Sequence, residues 1–262
     1  MTEYRVVFLD IDGTILRPDD SIEDSTKKAI CQLKDQDIEV ILATGRPLHE
    51  ITDLGEELNI QSYIAYNGAY AFYKGKEIFK ENMQIEDVNS FLRIAEKYEH
   101  DLVIYTHNKN YFLDQEAKRV KDFQKAFHLR KNDHYHQSIQ KEVLGITIIT
   151  SDEDGDVPYH SIEGIHYAKV NVPGFTTCYD VIRDHVNKGV AVNAVIEHLG
   201  FQKEQAIAFG DGMNDKEMLS NVGEGFAMGS GNPELFSYAK HVTTGVDKSG
   251  IFNGLKSLGL VK

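Results

Sequence analysis

The sequence lacks the features of a secreted or membrane protein. Its 262 residues include only two cysteines, Cys31 and Cys178, which are far apart and form no Cys-x-x-Cys pair. A disulfide framework is therefore not expected, and two free thiols are typical of a reducing compartment. No window of about 20 apolar residues could span a bilayer, and the first residues show no signal-peptide pattern. We expect a cytoplasmic protein.

Positive charge is also scarce, since the formal net charge at pH 7 is -13. A nucleic-acid-binding surface needs a basic face, so nucleic acid is not an expected partner. A membrane is not expected either, because no apolar window is long enough to span one. A small anionic substrate remains compatible, because a metal ion and a few cations can reverse the sign of the charge inside one cleft. The composition does not distinguish a monomer from a homodimer.

Hydrophobic residues make up 41% of the chain, which is enough for a sizeable packed core. Residues 1–81 alternate strand and helix patterns, starting with the apolar run Val6–Leu9, and the alternation resumes in residues 184–262. This order predicts parallel strands with right-handed crossovers. The fold class is therefore α/β, with a doubly wound parallel-sheet core built from both ends of the chain.

Residues 82–183 show strands with helices set aside, which predicts a smaller α+β domain inserted into the core. Leu102–Thr106 and Tyr111–Leu113 resemble a hairpin around the polar turn His107–Asn110. Three tyrosines of this segment either line a substrate pocket or form cross-strand aromatic pairs, and the sequence leaves both interpretations open: Tyr105, Tyr111 and Tyr135.

Polar residues follow several predicted strands of the core directly. The groups are Asp10-Ile11-Asp12-Gly13-Thr14, Thr44-Gly45-Arg46 and Gly210-Asp211-Gly212-Met213-Asn214-Asp215, while Lys188 begins a predicted helix. In an open α/β sheet the carboxyl ends of the strands lie at one edge, where ligands bind. We therefore expect these side chains to share one site.

A site with these side chains suits a reaction at a phosphate group that is assisted by a bound metal ion. The carboxylates of Asp10, Asp211 and Asp215 would repel one another, and hard oxygen ligands of this kind favour Mg²⁺. Lys188 and the Thr44 hydroxyl could hold phosphate oxygens. Asp10 is the better placed nucleophile and Asp12 the general acid and base.

These motifs resemble, in order and spacing, those of the haloacid dehalogenase superfamily, and they are most similar to its Cof-type sugar phosphatases. The matching residues are Asp10-x-Asp12-Gly13-Thr14, Thr44-Gly45-Arg46, Asn67-Gly68, Lys188-Gly189, Gly210-Asp211-Gly212-x-Asn214-Asp215 and Ala227-Met228-Gly229. The resemblance implies a Mg²⁺-dependent phosphomonoesterase with a Rossmann-like core and an inserted α/β cap of type IIB that sets substrate specificity.

The resemblance also implies a role for each motif residue. Asp10 would be the nucleophile, with Asp12 as general acid and base and Lys188 completing the catalytic set. Phosphate would be bound by Thr44, Gly45, Lys188 and Asn214. The metal would be held by Asp10, the Asp12 carbonyl and Asp211, supported by Asn214 and by Asp215, whose ligation is either direct or through water. Arg46 would face the substrate or the cap.

Simpler interpretations exist for two of these residues. Lys188 could be an exposed helix start, and Asp215 could only favour a helix N-terminus. The stretch Arg183–Asn187 also departs from the family pattern, in which a proline often precedes the lysine.

The leading functional hypothesis is hydrolysis of small phosphomonoesters, such as sugar phosphates, through an aspartyl-phosphate intermediate. A phosphomutase using the same chemistry is the enzymatic alternative. A phospholigand sensor without catalysis would have lost Asp10, Asp12 or Lys188, and all three are present.

Overall fold

The computed structural model describes residues 3–170 and 172–262. The chain divides into two compact units, which we call the core unit and the inserted unit. The core unit runs up to Arg46 and also contains Thr52–Lys80 and Asn187–Lys262. The inserted unit contains Glu81–Val186 together with the short segment Pro47–Ile51.

The regular elements follow one another along both units. In chain order they are β1 (Val6–Leu9), α1 (Asp24–Lys34), β2 (Glu39–Ala43), α2 (Leu48–Glu57), β3 (Ser62–Ala65), β4 (Tyr70–Tyr73), β5 (Lys76–Lys80), α3 (Ile85–Tyr98), β6 (Asp101–Tyr105), β7 (Asn110–Phe112), α4 (Lys118–Ala126), β8 (Asn132–His134), β9 (Gly145–Ile149), β10 (Ile165–Lys169), β11 (Tyr179–Arg183), α5 (Lys188–Leu199), β12 (Ala206–Gly210), α6 (Lys216–Ser220), β13 (Glu224–Ala227), β14 (His241–Val242) and α7 (Gly250–Ser257).

The core unit contains one sheet with the strand order β14-β13-β12-β1-β2-β3-β4-β5. The strands from β14 to β3 pair in parallel, as predicted. Apolar residues of α5 and α6 cover one face, on which Phe8 lies. On the other face Phe209 stacks on Phe226 and packs against α7 at Gly254. Because β1 is buried on both faces, its continuous apolar sequence is explained.

The last two strands of this sheet were missed by the sequence prediction. β4 and β5 form an antiparallel hairpin beyond β3. Its turn is Lys74-Gly75, in which both residues have positive φ angles, 43° and 89°. Glycine readily adopts a positive φ angle, whereas lysine rarely does. The pair Lys74-Gly75 is therefore a weak predictor of a hairpin turn.

Two helical segments near the C-terminus are short. The segment after Gly212 consists of a 3₁₀ turn over Met213–Asp215 followed by α6. The segment after Asn232 is a 3₁₀ helix over Pro233–Ser237. Asn232 does cap it, since its side chain accepts a hydrogen bond from the backbone N–H of Glu234.

The inserted unit contains a second sheet with the strand order β10-β11-β9-β6-β7-β8. β6 and β7 pair antiparallel, which confirms the predicted hairpin. α3 packs on one face of this sheet through Phe91, and α4 packs on the other through Phe123.

The register of this sheet excludes a cross-strand pair between two of the tyrosines, Tyr105 and Tyr111. Tyr105 lies opposite Asn110, and Tyr111 lies opposite Ile104, so these tyrosines do not pair with each other. Tyr111 and Tyr135 belong to the apolar cluster beneath α3, whereas Tyr105 lies on the opposite face of the sheet.

Both cysteines are free thiols, with Cys31 exposed and Cys178 buried. None of the helices in the described part of the chain has the length and apolar character needed to cross a membrane.

A substitution at Phe91 tests how much the packed core of the inserted unit contributes to stability. Its side chain is fully buried and stacks on Tyr159 with the ring centroids 5.3 Å apart. Phe91→Ala should lower the free energy of unfolding by about 3–5 kcal/mol, because it removes a large buried ring and leaves a cavity. Urea unfolding followed by circular dichroism measures this change. Tyr98→Ala is the control on the same helix, since Tyr98 is exposed and its loss should matter little; equal effects would contradict the packing.

Candidate active site

Two adjacent parallel strands bring the first and last acidic motifs together. β1 pairs with β12 so that Leu9 lies opposite Phe209, and the backbone N–H of Asp10 donates to the carbonyl of Phe209 at 3.0 Å. Asp10 therefore leaves the sheet at the same edge as Gly210 and Asp211. The Asp10 side chain is buried, with 5% of the residue exposed.

Lys188 links two acids of the site, Asp10 and Asp215. Its Nζ donates to Asp10 Oδ1 at 2.6 Å and to Asp215 Oδ1 at 2.7 Å. The residue has no exposed surface, so the interpretation as an exposed helix start is wrong. A buried ammonium group needs such partners, because an uncompensated charge in the interior is strongly destabilising.

The start of α5 explains why Lys188 reaches this position. Asn187 caps the helix, since its side chain accepts from the backbone N–H of Val190 at 3.0 Å. The backbone carbonyl of Asn187 lies against Gly68, whose φ is +99° and where a Cβ atom would come within 2.2 Å of that oxygen. The asparagine cap and the close approach at Gly68 therefore fix the lysine without the proline that is common in the family pattern.

The loop after β12 is held by Asp215. Its Oδ2 accepts hydrogen bonds from the backbone N–H groups of Asp211 at 3.0 Å and Gly212 at 3.1 Å. The Asp211 carboxylate lies against Gly13, which has φ +82° and where a Cβ atom would lie 2.2 Å from Asp211 Oδ2. Only glycine fits at this position, which explains the glycine that follows Asp12.

The three acids form one cluster. One carboxylate oxygen each from Asp10, Asp211 and Asp215 lies within 4.8 Å of the others. Burial and the charge of Asp215 raise the pKa of Asp10 well above its usual value, although Lys188 opposes the shift. Burial and Asp215 also raise the pKa of Asp211 to about 6. Burial would lower the pKa of Lys188, but Asp10 and Asp215 raise it above its usual value.

This cluster has the chemistry of a site for a hard divalent cation. Three carboxylates face one ammonium group, so negative charge is in excess at neutral pH once the acids ionise. Carboxylate oxygens are the donors that Mg²⁺ prefers. The residues present therefore fit a magnesium ion.

The predicted phosphate-binding residues lie in neighbouring loops. Thr44 follows β2, next to β1, and is buried. The side chain of Asn67 packs against Gly45, where a Cβ atom would lie 2.9 Å from Asn67 Oδ1. Asn214 Nδ2 donates to that same oxygen at 3.0 Å. Asn67 thus joins two loops, a role that the sequence prediction did not assign. Its signal was the Asn-Gly pair that follows β3 after one residue, Tyr66.

Arg46 and Asp12 form an ion pair that the sequence did not predict. Arg46 Nε donates to Asp12 Oδ2 at 2.9 Å, and Arg46 Nη2 donates to Asp12 Oδ1. Both side chains are partly exposed. Burial on its own would lower the pKa of the Arg46 guanidinium. The hydrogen bond to Asp12 outweighs this effect and raises that pKa above its usual value. Both carboxylate oxygens of Asp12 are therefore engaged by one arginine.

Comparison with known proteins identifies the family. Residues 7–255 match the family of haloacid dehalogenase-like hydrolases, and the chain belongs to that family. It is 29% identical over 265 residues to "Putative phosphatase YkrA" of Bacillus subtilis (strain 168), with 99% of this chain and 100% of the relative covered.

Two solved structures are also similar. A hypothetical protein from Geobacillus kaustophilus HTA426 has a TM-score of 0.89 and 29% identity, with 98% of this chain and all of that chain covered. The sugar phosphatase BT4131, of subclass IIB of the superfamily, has a TM-score of 0.82 and 26% identity over 98% of this chain and 100% of its own. The protein is thus a phosphatase of the Cof-type, subclass IIB branch, and the predicted fold class is confirmed.

The acid cluster makes the stability of the metal-free protein depend on pH. Asp10 and Asp211 have raised pKa values in the folded state, so the folded chain binds their protons more tightly than the unfolded chain does. This stabilisation is complete below about pH 4, the ordinary aspartate pKa, and is lost as the pH rises through about 6, the folded pKa of Asp211. Without metal, stability should therefore fall between these values.

The variant Asp211→Asn should show a shallower decline, measured as the urea midpoint against pH in EDTA. The control Asp122→Asn removes an exposed acid of α4 and should keep the wild-type slope. An unchanged slope in Asp211→Asn would contradict the assignment.

Proposed function

We propose that the protein is a Mg²⁺-dependent phosphatase that hydrolyses small phosphomonoesters through an aspartyl-phosphate on Asp10. The single observation that carries the proposal is the buried triad in which Lys188 Nζ contacts both Asp10 and Asp215. It fixes one carboxylate at the end of a rigid strand, beside the cation that a phosphate needs.

The nucleophile is Asp10. One of its oxygens accepts from Lys188 at 2.6 Å, which limits rotation of the carboxylate. In the first step its other oxygen forms a bond to phosphorus while the bond from phosphorus to the ester oxygen breaks. The product of this step is an aspartyl-phosphate and the free alcohol.

Asp10 and Asp211 are the carboxylates that would hold Mg²⁺, together with the carbonyl of Asp12. When bound, the ion neutralises the excess negative charge and polarises the phosphoryl group. Asp215 has a different part in this proposal, because Lys188 and two backbone N–H groups already occupy its oxygens. It positions the lysine and the loop that carries Asp211.

Lys188, Thr44, Gly45 and Asn214 bind the phosphoryl oxygens. Lys188 donates hydrogen bonds as a charged group, and the loops add the Thr44 hydroxyl, the backbone N–H of Gly45 and the Asn214 amide. The contact between Asn214 and Asn67 holds the two loops at a fixed separation. A preorganised set of donors of this kind stabilises charge that develops on the transferred group.

Asp12 gives a proton to the leaving alkoxide in the first step and takes one from water in the second, so it is restored after each turnover. The water oxygen then bonds to phosphorus, and the bond between phosphorus and Asp10 breaks. The bidentate pair with Arg46 occupies both Asp12 oxygens. In this proposal substrate binding opens the pair, which frees the Arg46 guanidinium to contact the substrate.

The substrate in this proposal is a small phosphorylated metabolite rather than a nucleic acid or a membrane. The net charge of -13 supports this choice, because it leaves no excess of positive charge for a polyanion. The similarity to BT4131, described as a sugar phosphatase, supports sugar phosphates as the first substrates to test.

Asp10→Asn should lower phosphate release from p-nitrophenyl phosphate by roughly 10³-fold or more, because the amide cannot act as the nucleophile. Wild-type activity should also disappear in EDTA and return when Mg²⁺ is added. Colorimetric phosphate release measures both effects, with Asp122→Asn as a control that should keep full activity.

Full activity of Asp10→Asn, or activity that is insensitive to EDTA, would contradict the proposal. A sugar phosphate converted to an isomer with no free phosphate would identify a phosphomutase instead.

A further inference from the structure

The chain forms a left-handed turn directly after β3, in the core unit. Three consecutive residues have positive φ angles, which are 54° at Tyr66, 52° at Asn67 and 99° at Gly68. We call this segment, Tyr66–Gly68, the left-handed turn. Glycine adopts such angles freely and asparagine tolerates them, but they are a genuine outlier for a bulky aromatic residue. Backbone strain of this kind persists only where the surrounding structure enforces it, and it is concentrated at functional sites.

The backbone of the left-handed turn holds loop 44–46. The N–H of Tyr66 donates to the carbonyl of Arg46 at 3.2 Å, and the N–H of Asn67 donates to the carbonyl of Thr44 at 3.1 Å. Within the loop, the N–H of Arg46 donates to Thr44 Oγ1 at 3.1 Å. The Thr44 hydroxyl therefore accepts a hydrogen bond from its own loop, and its one hydrogen can be donated to a ligand.

The side chain of Asn67 connects this loop to a second one. Asn67 Oδ1 accepts from Asn214 Nδ2 at 3.0 Å, which restricts rotation of the Asn214 amide. The Nδ2 atom of an asparagine carries two hydrogens, so the second hydrogen of Asn214 takes a fixed direction. The same Asn67 side chain lies over Gly45, where a Cβ atom would come within 2.9 Å of its Oδ1.

The left-handed turn also contacts the start of α5. A Cβ atom at Gly68 would lie 2.2 Å from the carbonyl oxygen of Asn187 and 2.8 Å from the backbone nitrogen of Lys188. These two residues are the N-cap and the first residue of α5. One short segment therefore contacts all three parts of the core unit that carry the proposed phosphate-binding residues, namely loop 44–46, the turn Met213–Asp215 and the start of α5.

We propose that the left-handed turn sets the spacing of the phosphate-binding groups before a ligand arrives, and that Asn67 is a positioning residue that orients the Asn214 amide. In this role Asn67 acts through Asn214 and needs no contact with the substrate. Its strained backbone is retained because the contacts to Thr44, Asn214 and Asn187 all depend on the path of this turn. The inference rests on the proposed phosphatase function and adds a positioning residue to the same site.

The variant Asn67→Gly separates this role from folding. Glycine adopts a φ of 52° without strain, so the variant keeps the backbone of the turn and loses only the amide. Its melting temperature should stay close to that of the wild type. Its affinity for inorganic phosphate with Mg²⁺ present should fall about tenfold, because a hydrogen bond to a charged ligand loses its direction. Thermal melting and calorimetric titration measure the two effects, and a merely structural role would instead lower the melting temperature.

Asn59→Gly is the matched control. Asn59 has the same φ of 52° and belongs to the core unit, but its side chain is exposed. It precedes β3 and therefore lies at the opposite edge of the sheet from the left-handed turn. The variant should change neither the melting temperature nor the affinity for phosphate. An equal loss of phosphate affinity in Asn59→Gly would contradict a specific role of Asn67.

A double variant tests whether Asn67 acts through Asn214. Asn214→Ala removes the oriented amide and should by itself lower the affinity for phosphate about tenfold. Asn67→Gly combined with Asn214→Ala should then bind phosphate about as well as Asn214→Ala alone, because both substitutions remove the same interaction. A loss of about a hundredfold in the double variant, as independent effects would give, would overturn the inference.

The binding measurement is independent of turnover. Equal phosphate affinity of the wild type and Asn67→Gly would overturn the inference while the phosphatase function stands. A wild type that binds no phosphate would overturn the inference as well. If Asn67→Gly binds phosphate more weakly but the wild type does not hydrolyse p-nitrophenyl phosphate, the result supports the inference and counts against the phosphatase function alone.

Discussion

One buried ammonium group between two carboxylates determines the arrangement of the site. Two unit charges about 4 Å apart interact by about 4 kcal/mol at an effective dielectric constant of 20. The cluster of Asp10, Asp211 and Asp215 would therefore be strongly destabilising without the cation of Lys188. A divalent ion would complete the neutralisation that one lysine begins, so charges that are unfavourable on their own would favour the binding of a metal ion.

The rest of the core unit positions these charges. Parallel strands β1 and β12 place Asp10 and Asp211 at one edge, because neighbouring parallel strands end on the same side of a sheet. The N-cap at Asn187 starts α5 so that its first residue is Lys188. Gly13 and Gly68 allow two loops to approach closer than any side chain would permit. Each element is locally ordinary, and the site arises from their convergence.

The sequence predicted the parts of this structure that depend on local patterns. The buried strand Val6–Leu9 and the hairpin of the inserted unit both appear as expected, because hydrophobic periodicity and turn residues act over a few positions. The hairpin after β3 was missed because Lys74-Gly75 is a weak turn signal.

The remaining features depend on side chains that meet only in the folded chain. The pairs Arg46–Asp12 and Asn214–Asn67 join residues separated by 34 and 147 positions. The hydrogen bonds that join Tyr105, Thr147 and Asp180 similarly require the register of three strands. No spacing in the sequence could reveal which polar groups would share a hydrogen bond.

In the proposed mechanism, the carboxylate held by Lys188 becomes covalently phosphorylated during turnover. Rapid acid quenching of the wild type with Mg²⁺ and a phosphomonoester, followed by peptide mass spectrometry, can detect this intermediate. We expect one added phosphoryl group on Asp10 that disappears when the substrate is exhausted. Turnover without such a label, or a label on another residue, would contradict it.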